Sequence, residues 1–242
     1  MRKIEVCCST LSEVKDAAKA GAIRVELCAA IALGGITPSH GTISTVAQAG
    51  TGIDVNVIIR CREGGFYYSD EEIELMCRDI EFCRSAGVHG VVIGALTPQG
   101  DIDMDACRRM MAAAGDMSVT FHRAFDICNN AKIALEQIIS LGCDRLLTSG
   151  MESSAELGAG LITKLIEQAA GRIIVMPGAG IKPHNILKIE AATHATEFHS
   201  TAAIDTNDIM FESPKLSFAA DTAGKGQLRR SAYEVIRELV TL

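Results

Sequence analysis

Tryptophan is absent from this 242-residue sequence, and aromatic residues make up only 4% of it. Apolar residues nonetheless account for 48%, so a sizeable core has to be built from Ala, Ile, Leu, Val and Met. Such a core suits helices layered on a sheet better than an aromatic-rich binding module. At this length an α/β barrel commonly forms a single domain, and two small domains are the alternative.

The sequence also lacks an excess of positive charge and any long apolar run. A formal net charge of −7 argues against non-specific binding to nucleic acid or to anionic membranes, which both need dense Lys/Arg patches. No run of 18 apolar residues occurs, so we expect no transmembrane helix. Glu5 interrupts the first apolar stretch, which excludes a signal peptide there and predicts a cytoplasmic protein.

Cysteine is frequent, but the spacing C-x-x-C does not occur among the nine cysteines. This excludes a zinc ribbon and a thioredoxin-type redox motif. An odd number of cysteines without a secretion signal predicts free thiols rather than a disulfide framework. Four of them fall at the ends of strand-like runs: Cys7, Cys8, Cys28 and Cys61.

Eight short β-rich runs alternate with segments of helical period, which predicts a single-domain (β/α)8 TIM-like barrel. A doubly wound open sheet is the alternative, although Cys8-Ser9-Thr10 stands where a G-x-G-x-x-G turn would follow the first strand. The predicted strands are Ile4–Cys8, Arg24–Cys28, Val55–Arg60, Gly90–Gly94, Ser118–His122, Arg145–Ser149, Ile173–Pro177 and Thr196–Ser200.

The helical segments carry recognisable ends. Ser69 and Glu72 form a capping box at the start of a helix predicted over Asp70–Ala86. The last helix is predicted over Ser231–Thr241, and before it residues 203–230 form an irregular segment with little periodicity. That segment is too long for an ordinary connection, so it is a lid over the barrel mouth, an oligomer contact or a mobile loop.

Charged residues recur at the carboxyl ends of the strands, where barrels of this kind place their chemistry. Strand alternation predicts that six buried groups from separate strands converge on one mouth. A structural ion network is the alternative explanation, because buried charges are costly unless they are paired. The six are Glu5, Glu26, Arg60, His122, Glu197 and His199, of which His122, Glu26, Glu197 and His199 are our candidate catalytic residues.

The run V-T-F-H-R-A-F-D, residues 119–126, ends in three polar groups that no buried strand end needs for packing. Alternation predicts that His122 faces the mouth, whereas Arg123 points to the rim and Asp126 starts the next loop. We therefore predict a functional His122 with Arg123 and Asp126 as its supports.

Two arginines and two loops suggest an anion. Arg60 and Arg62 follow the third strand, and guanidinium groups recognise carboxylate or phosphate. Loops after the seventh and eighth strands commonly bind phosphate in such barrels, which makes Gly178, Gly180 and Ser200 candidate anion-binding residues. Tight turns alone would also explain these glycines.

Cys7 and Cys28 end adjacent strands with the same inward parity. Neighbouring strands lie about 4.8 Å apart, so the two thiolates could face each other and hold a soft ion such as Cu(I). From spacing alone, two small buried side chains explain the pair better than a metal site.

Several ordered motifs make the sequence resemble the CutC family, known as copper homeostasis proteins. The resemblance runs from about Ile4 to Ala202 and is poor beyond it. One departure is Cys61, where the family usually has Pro between two arginines. The motifs are Glu26-Leu27-Cys28, Gly34-Gly35-Ile36-Thr37-Pro38-Ser39, Arg60-Cys61-Arg62, Phe66-Tyr67-Tyr68-Ser69, residues 120–126, Leu147-Thr148-Ser149-Gly150, residues 176–181 and Glu197-Phe198-His199-Ser200.

The resemblance implies a TIM-like barrel, a cytoplasmic homodimer or higher homo-oligomer, and copper as cofactor or partner, with Cys7 and Cys28 as ligands. The competing hypothesis is an enzyme that acts on a small anionic or phosphorylated metabolite. In that enzyme His122 or Glu26 is the acid–base group, and Arg60 and Arg62 clamp the anion. A scaffold with a purely structural polar interior is the third interpretation.

Overall fold

The computed structural model describes residues 2–207 and 227–242, in which strands and helices alternate along the chain. The strands are β1 (Lys3–Cys8), β2 (Arg24–Leu27), β3 (Asp54–Ile58), β4 (Gly90–Ile93), β5 (Ser118–Phe121), β6 (Arg145–Thr148), β7 (Ile174–Pro177), β8 (Glu197–Ser200), β9 (Ala203–Asn207) and β10 (Gln227–Ser231). The helices are α1 (Leu11–Ala20), α2 (His40–Ala47), α3 (Asp70–Ala86), α4 (Met104–Ala114), α5 (Ala131–Leu141), α6 (Ala159–Ala169), α7 (Ile186–Thr193) and α8 (Tyr233–Thr241).

Strands β1 to β8 form one parallel sheet in the order β7-β6-β5-β4-β3-β2-β1-β8. The two ends of this order, β7 and β8, lie against each other, so the sheet closes almost completely into a barrel. The predicted (β/α)8 barrel is therefore confirmed, and the open doubly wound sheet is excluded. Sequential strand order with a helix after each strand is what right-handed crossovers produce.

Local sequence explains the boundaries of α3. The Ser69 side chain accepts a hydrogen bond from the Glu72 N–H, and Glu72 reaches back to the Ser69 N–H, which completes the predicted capping box. The helix ends at Gly87, whose φ of 77° is the left-handed conformation that glycine adopts without a steric cost. Ile73, Met76, Ile80 and Cys83 form its buried stripe.

The main core lies between the barrel and its helices. Val6 pairs with Val25, and Val25 pairs with Val55, so one row of neighbouring strands presents valines to the helix layer. A second, smaller apolar cluster consists of Cys7, Cys28, Ile58 and Val92, with Ile31 packed against it. The alternate residues of the strands therefore bring the two cysteines together on the inner face.

The segment 203–230 differs from the prediction at both ends. Residues of β9 and β10 pair as an antiparallel ribbon, and residues 208–226 lie outside the described residues. The last helix begins at Tyr233 rather than at Ser231, because the Ser231 N–H donates to the Glu13 carboxylate and the Ala232 N–H donates to the Ala202 carbonyl. These bonds to distant residues leave no trace in the local periodicity.

Within residues 2–207 and 227–242, no helix combines the length and the apolar character that crossing a membrane requires.

Gly90 provides a test of packing inside the barrel. A Cβ at this position would lie 2.4 Å from the Ser118 carbonyl oxygen and 2.6 Å from Asn56 Oδ1. We expect Gly90→Ala to lower the free energy of unfolding by about 1–3 kcal/mol in equilibrium urea denaturation. The reason is that the backbone at Ser118 would have to move to make room for the new Cβ. Gly160→Ala is the matched control, since a Cβ there meets nothing within 4 Å and Ala favours α6. Equal stability of the two variants would contradict this packing.

Candidate functional site

The six groups predicted to converge are all buried, with His199 the most exposed at 8%. They belong to two clusters, and no described hydrogen bond or ion pair joins one cluster to the other. The His122 cluster contains Arg60, Phe66 and His122. The His199 cluster contains Glu5, Cys7, Arg24, Glu26, Cys28, Glu197 and His199.

A chain of ion pairs forms the base of the His199 cluster. Arg24 Nε donates to Glu5 Oε2 at 2.5 Å, and Arg24 Nη2 donates to Glu197 Oε2 at 2.7 Å. Arg145 Nε donates to the same Glu197 oxygen at 2.9 Å. These residues come from β2, β1, β8 and β6, so the pairs connect strands across the barrel interior. For Glu197 this arrangement is a structural role, and its predicted catalytic role stays a prediction.

The other Glu5 oxygen binds His199. Oε1 lies 2.7 Å from His199 Nδ1, while His199 Nε2 lies 3.8 Å from Glu26 Oε2. Burial alone would raise the pKa of Glu5, but the His199 hydrogen bond and charge, with Arg24, lower it to about 2. Burial would lower the pKa of His199, but Cys7, Glu5 and Glu26 raise it well above its usual value. Both partners are therefore charged at neutral pH.

The thiols of Cys7 and Cys28 meet beside His199. Their Sγ atoms are 2.9 Å apart, and the two residues are 6% and 1% exposed. The contact with Cys28 and burial raise the pKa of Cys7 well above its usual value. The contact with Cys7 lowers the pKa of Cys28, but burial and Glu26 outweigh this and raise it. The isolated pair is therefore neutral at physiological pH.

Glu26 completes this side of the site. One ligand atom each of Cys7, Glu26 and His199 lie within 4.8 Å of one another, a grouping that can hold a metal ion. Burial raises the pKa of Glu26, which the charge of His199 only partly offsets. A buried carboxyl with a raised pKa accepts a proton more readily than an exposed one, which is a property of acid–base groups.

The His122 cluster has unpaired donors. His122 Nδ1 accepts from the Ala124 N–H at 3.1 Å, so the neutral ring carries its proton on Nε2, and Nε2 has no partner. Burial, followed by the charge of Arg60, lowers the pKa of His122 to about 3. The Phe66 ring lies 4.9 Å from the imidazole centroid and 5.1 Å from the Arg60 guanidinium carbon. His122 is therefore a neutral hydrogen-bond donor.

Arg60 is buried without a carboxylate partner among the described residues. Its Nη1 donates to the carbonyls of Leu33 and Gly35 at 3.0 and 2.9 Å, and Nη2 donates to the Gly64 carbonyl at 2.6 Å. Its Nε has no partner. Three carbonyl dipoles solvate the charge without neutralising it.

Arg62, the second predicted anion ligand, has a different environment. Its guanidinium pairs with Glu72 and donates to the Tyr67 carbonyl at 2.7 Å, and its side chain is 39% exposed. These bonds attach the loop after β3 to the start of α3. A role of Arg62 in anion binding stays a prediction, and Glu72 would compete with any ligand.

The loops after β7 and β8 are bonded internally. The Ser200 hydroxyl donates to the Ile181 carbonyl at 2.8 Å and accepts from the Ala202 N–H at 2.9 Å. A Cβ at Gly178 would meet Leu147 at 2.5 Å and His199 at 3.4 Å, so close packing by itself calls for glycine there. Gly180 is exposed and has a φ of 78°. Phosphate binding at Gly178, Gly180 and Ser200 stays a prediction.

Arg123 and Asp126 do not support His122 through any described hydrogen bond. They bind each other at 2.7 Å, and Asp126 also accepts from the Ser149 N–H at 3.0 Å and from the Met151 N–H at 3.2 Å. Our prediction of their role is corrected: they hold the start of the loop after β6. The hydrogen bonds from Ser149 and Met151 to Asp126 cannot be read from the sequence, because β5 and β6 become neighbours only in the folded sheet.

Sequence reasoning missed three features of the site. Phe66 covers Arg60 and His122, and its place in the motif Phe66-Tyr67-Tyr68-Ser69 was an available signal. Arg145 shares the inward parity of its strand, which alternation could have revealed. Asn56 and Thr120 are fully buried with unpaired side-chain atoms, and only the tertiary structure shows that no partner reaches them.

The low pKa of His122 predicts how stability depends on pH. Between the ordinary value of 6.5 and about 3 the unfolded chain binds a proton that the folded chain does not bind. The contribution of His122 to the free energy of unfolding therefore falls by about 1.4 kcal/mol per pH unit as the pH decreases within this range. Urea denaturation at several pH values between 4.5 and 6.5 measures this dependence. In His122→Gln the free energy of unfolding should change less steeply with pH than in the unmodified protein.

The control variant for this measurement is His184→Gln, which replaces an exposed imidazole. In this variant the free energy of unfolding should depend on pH as it does in the unmodified protein. A slope unchanged in His122→Gln would show that His122 is not held neutral in the folded protein.

Comparison with known proteins gives consistent matches over most of the chain. The sequence profile of the CutC family matches residues 2–204. A family protein CutC from Parabacteroides distasonis is 52% identical over 201 residues, 83% of each chain, and one from Chromobacterium violaceum is 47% identical over 199 residues, 82% of this chain and 80% of that one.

Solved structures agree with this result. A protein of Streptococcus agalactiae, provisionally described as a copper homeostasis protein CutC, is 33% identical, with a TM-score of 0.79 over 83% of this chain and 99% of that one. Phosphoribosyl anthranilate isomerase of Thermotoga maritima, at 11% identity and a TM-score of 0.57 over 99% of this chain and 97% of that one, shares the fold alone. With the barrel, the family profile and the relatives in agreement, the chain belongs to the CutC family.

Proposed function

We propose that this protein binds Cu(I) through the thiolates of Cys7 and Cys28 and serves copper homeostasis. The observation that carries the proposal is the 2.9 Å separation of two buried sulfur atoms on adjacent strands. Thiolate is a soft ligand that selects Cu(I) over hard cations such as Mg²⁺ and Ca²⁺. The CutC protein of Streptococcus agalactiae, described provisionally as a copper homeostasis protein, supports the proposed role in copper homeostasis.

The surroundings of the two sulfurs suit a soft monovalent ion. Ile58, Val92 and Ile31 pack against the pair and keep water away from it. Because the free thiols are protonated, a bound cation has to displace their protons. Positively charged His199 touches the same cluster and favours the thiolate form of Cys7.

Two accompanying proposals concern the cellular compartment and the oligomeric state of the protein. All nine cysteines are free thiols, which agrees with a reducing compartment such as the cytoplasm. A homodimer or larger homo-oligomer is the assembly that the family resemblance implies. Both stay predictions.

Replacement of both thiols tests the copper proposal. Cys7→Ser/Cys28→Ser should lose the single tightly held Cu(I) ion, measured anaerobically by competition with a chromogenic Cu(I) chelator. Cys77→Ser, which removes a half-buried thiol on α3, is the matched control and should keep the ion. Undiminished withdrawal of copper from the chelator by the double variant would reject the two cysteines as ligands.

A second candidate function is an enzyme that acts on a small anionic metabolite. The observation in its favour is that Arg60 Nε and His122 Nε2 both lack partners, on two buried side chains that lie against the Phe66 ring. A buried guanidinium without a counter-charge is unfavourable, and a carboxylate or phosphate of a ligand would provide that charge. In such an enzyme His122 would donate to a ligand oxygen, and Glu26, with its raised pKa, would be the acid–base group.

Ligand-dependent stability tests this second function. Inorganic phosphate and acetate should raise the unfolding temperature of the unmodified protein in proportion to the logarithm of their concentration. Arg60→Gln and His122→Phe should lose this increase, whereas Arg62→Gln should keep it, because Arg62 is already paired with Glu72. An increase that survives Arg60→Gln, or that disappears in Arg62→Gln alone, would contradict the assignment.

A further inference from the structure

His199 presents one ring nitrogen to a carboxylate and the other to potential metal ligands. Nδ1 lies 2.7 Å from Glu5 Oε1, and Glu5 is itself held by Arg24 at 2.5 Å. Nε2 lies on the side of Glu26 and Cys7. The ring orientation is therefore set by residues that do not belong to the thiol pair.

This arrangement is typical of metal-binding histidines. A histidine that binds a metal almost always donates its other N–H to a carboxylate, carbonyl or water, which fixes the tautomer and leaves the far nitrogen free for the ion. Glu5 fills this role for Nδ1, and Arg24 restrains Glu5 in turn. Support of this kind would be unnecessary if the two thiolates alone bound the ion.

We propose that His199 Nε2 and a Glu26 carboxylate oxygen join Cys7 as ligands of a divalent, zinc-type ion, and that Cys28, whose Sγ lies 2.9 Å from that of Cys7, moves in to complete a four-ligand site. The inference rests on the proposed metal-binding function of the two thiols. It adds His199 and Glu26 to the ligands, and it adds a divalent ion to the ions that the site binds. Two sulfurs, one imidazole nitrogen and one carboxylate oxygen are the ligand types that Zn²⁺ takes in tetrahedral sites.

The distances favour a tetrahedral ion over a linear one. With metal–sulfur bonds of about 2.3 Å, two thiolates are about 3.8 Å apart in a tetrahedral site and about 4.6 Å apart in a linear one. The observed 2.9 Å requires less movement to reach the tetrahedral arrangement. His199 Nε2 and Glu26 Oε2, 3.8 Å apart, are already near the separation of about 3.4 Å that bonds of about 2.0–2.1 Å produce.

The same geometry suggests why Glu26 differs from the other carboxylates. Glu5 and Glu197 are each bound by an arginine, whereas no arginine or lysine forms an ion pair with Glu26 among the described residues. The only cationic neighbour of Glu26 among the described residues is His199, 3.8 Å away, and a metal ion bound between them would replace this charge as the ring releases its Nε2 proton.

Cobalt(II) is the probe for this site. Titration of the metal-free protein should give thiolate-to-cobalt charge-transfer absorption and intense visible bands of a four-coordinate ion, both removed by Zn²⁺. His199→Gln and Glu26→Gln should weaken zinc binding by about 100-fold or more, beyond what loss of an outer partner causes. His184→Gln, at an exposed position, should bind like the unmodified protein.

The outcomes separate the two proposals. If Co²⁺ and Zn²⁺ fail to bind while Cu(I) binds through the thiols, the four-ligand site is wrong and the copper proposal stands. If no ion binds, both are wrong. Unchanged zinc affinity and cobalt spectrum in folded His199→Gln would also overturn the inference.

X-ray absorption of the zinc-loaded, unmodified protein checks the ligands independently of any variant. Two sulfur and two nitrogen or oxygen neighbours support the inference, and two sulfurs alone refute it. Because no residue is replaced, a failure of His199→Gln or Glu26→Gln to fold does not affect this measurement.

Discussion

The Glu5 carboxylate joins the structural and the chemical parts of the barrel interior. One oxygen binds Arg24, which in turn holds Glu197, and the other oxygen binds His199. The interior has few large apolar side chains to fill it, so charged groups take their place and must pair to be tolerated there. This pairing determines which way His199 faces, and with it what lies beside the thiols.

The two clusters differ in how well their polar atoms are satisfied. Around His199, each buried carboxylate has a cationic neighbour, and the network spans four strands. Around His122, the Arg60 guanidinium donates only to carbonyls and lies over the Phe66 ring, and Arg60 Nε and His122 Nε2 lack partners. Buried polar atoms are almost always paired in proteins, and this imbalance is the support for the proposed ligand on the His122 side.

These differences explain how one barrel can support two functional interpretations. The thiol side offers soft and borderline ligands for a metal ion, whereas the His122 side offers only hydrogen-bond donors and positive charge. An arginine cannot bind a cation, and a thiol pair has no use for a phosphate. Metal binding on one side and recognition of an organic anion on the other are therefore compatible in the same molecule.

Local periodicity and hydrogen bonding were enough to predict the strand–helix alternation, the capping of α3 and the inward parity of Glu5, Glu26 and His199 from the sequence. It did not reveal the β9–β10 ribbon or the later start of α8, which depend on distant partners such as Glu13. Which of these groups contact one another depends on how the strands close into the barrel. Closure of the barrel brings β8 beside β1, so that His199 binds Glu5 across 194 positions of the chain.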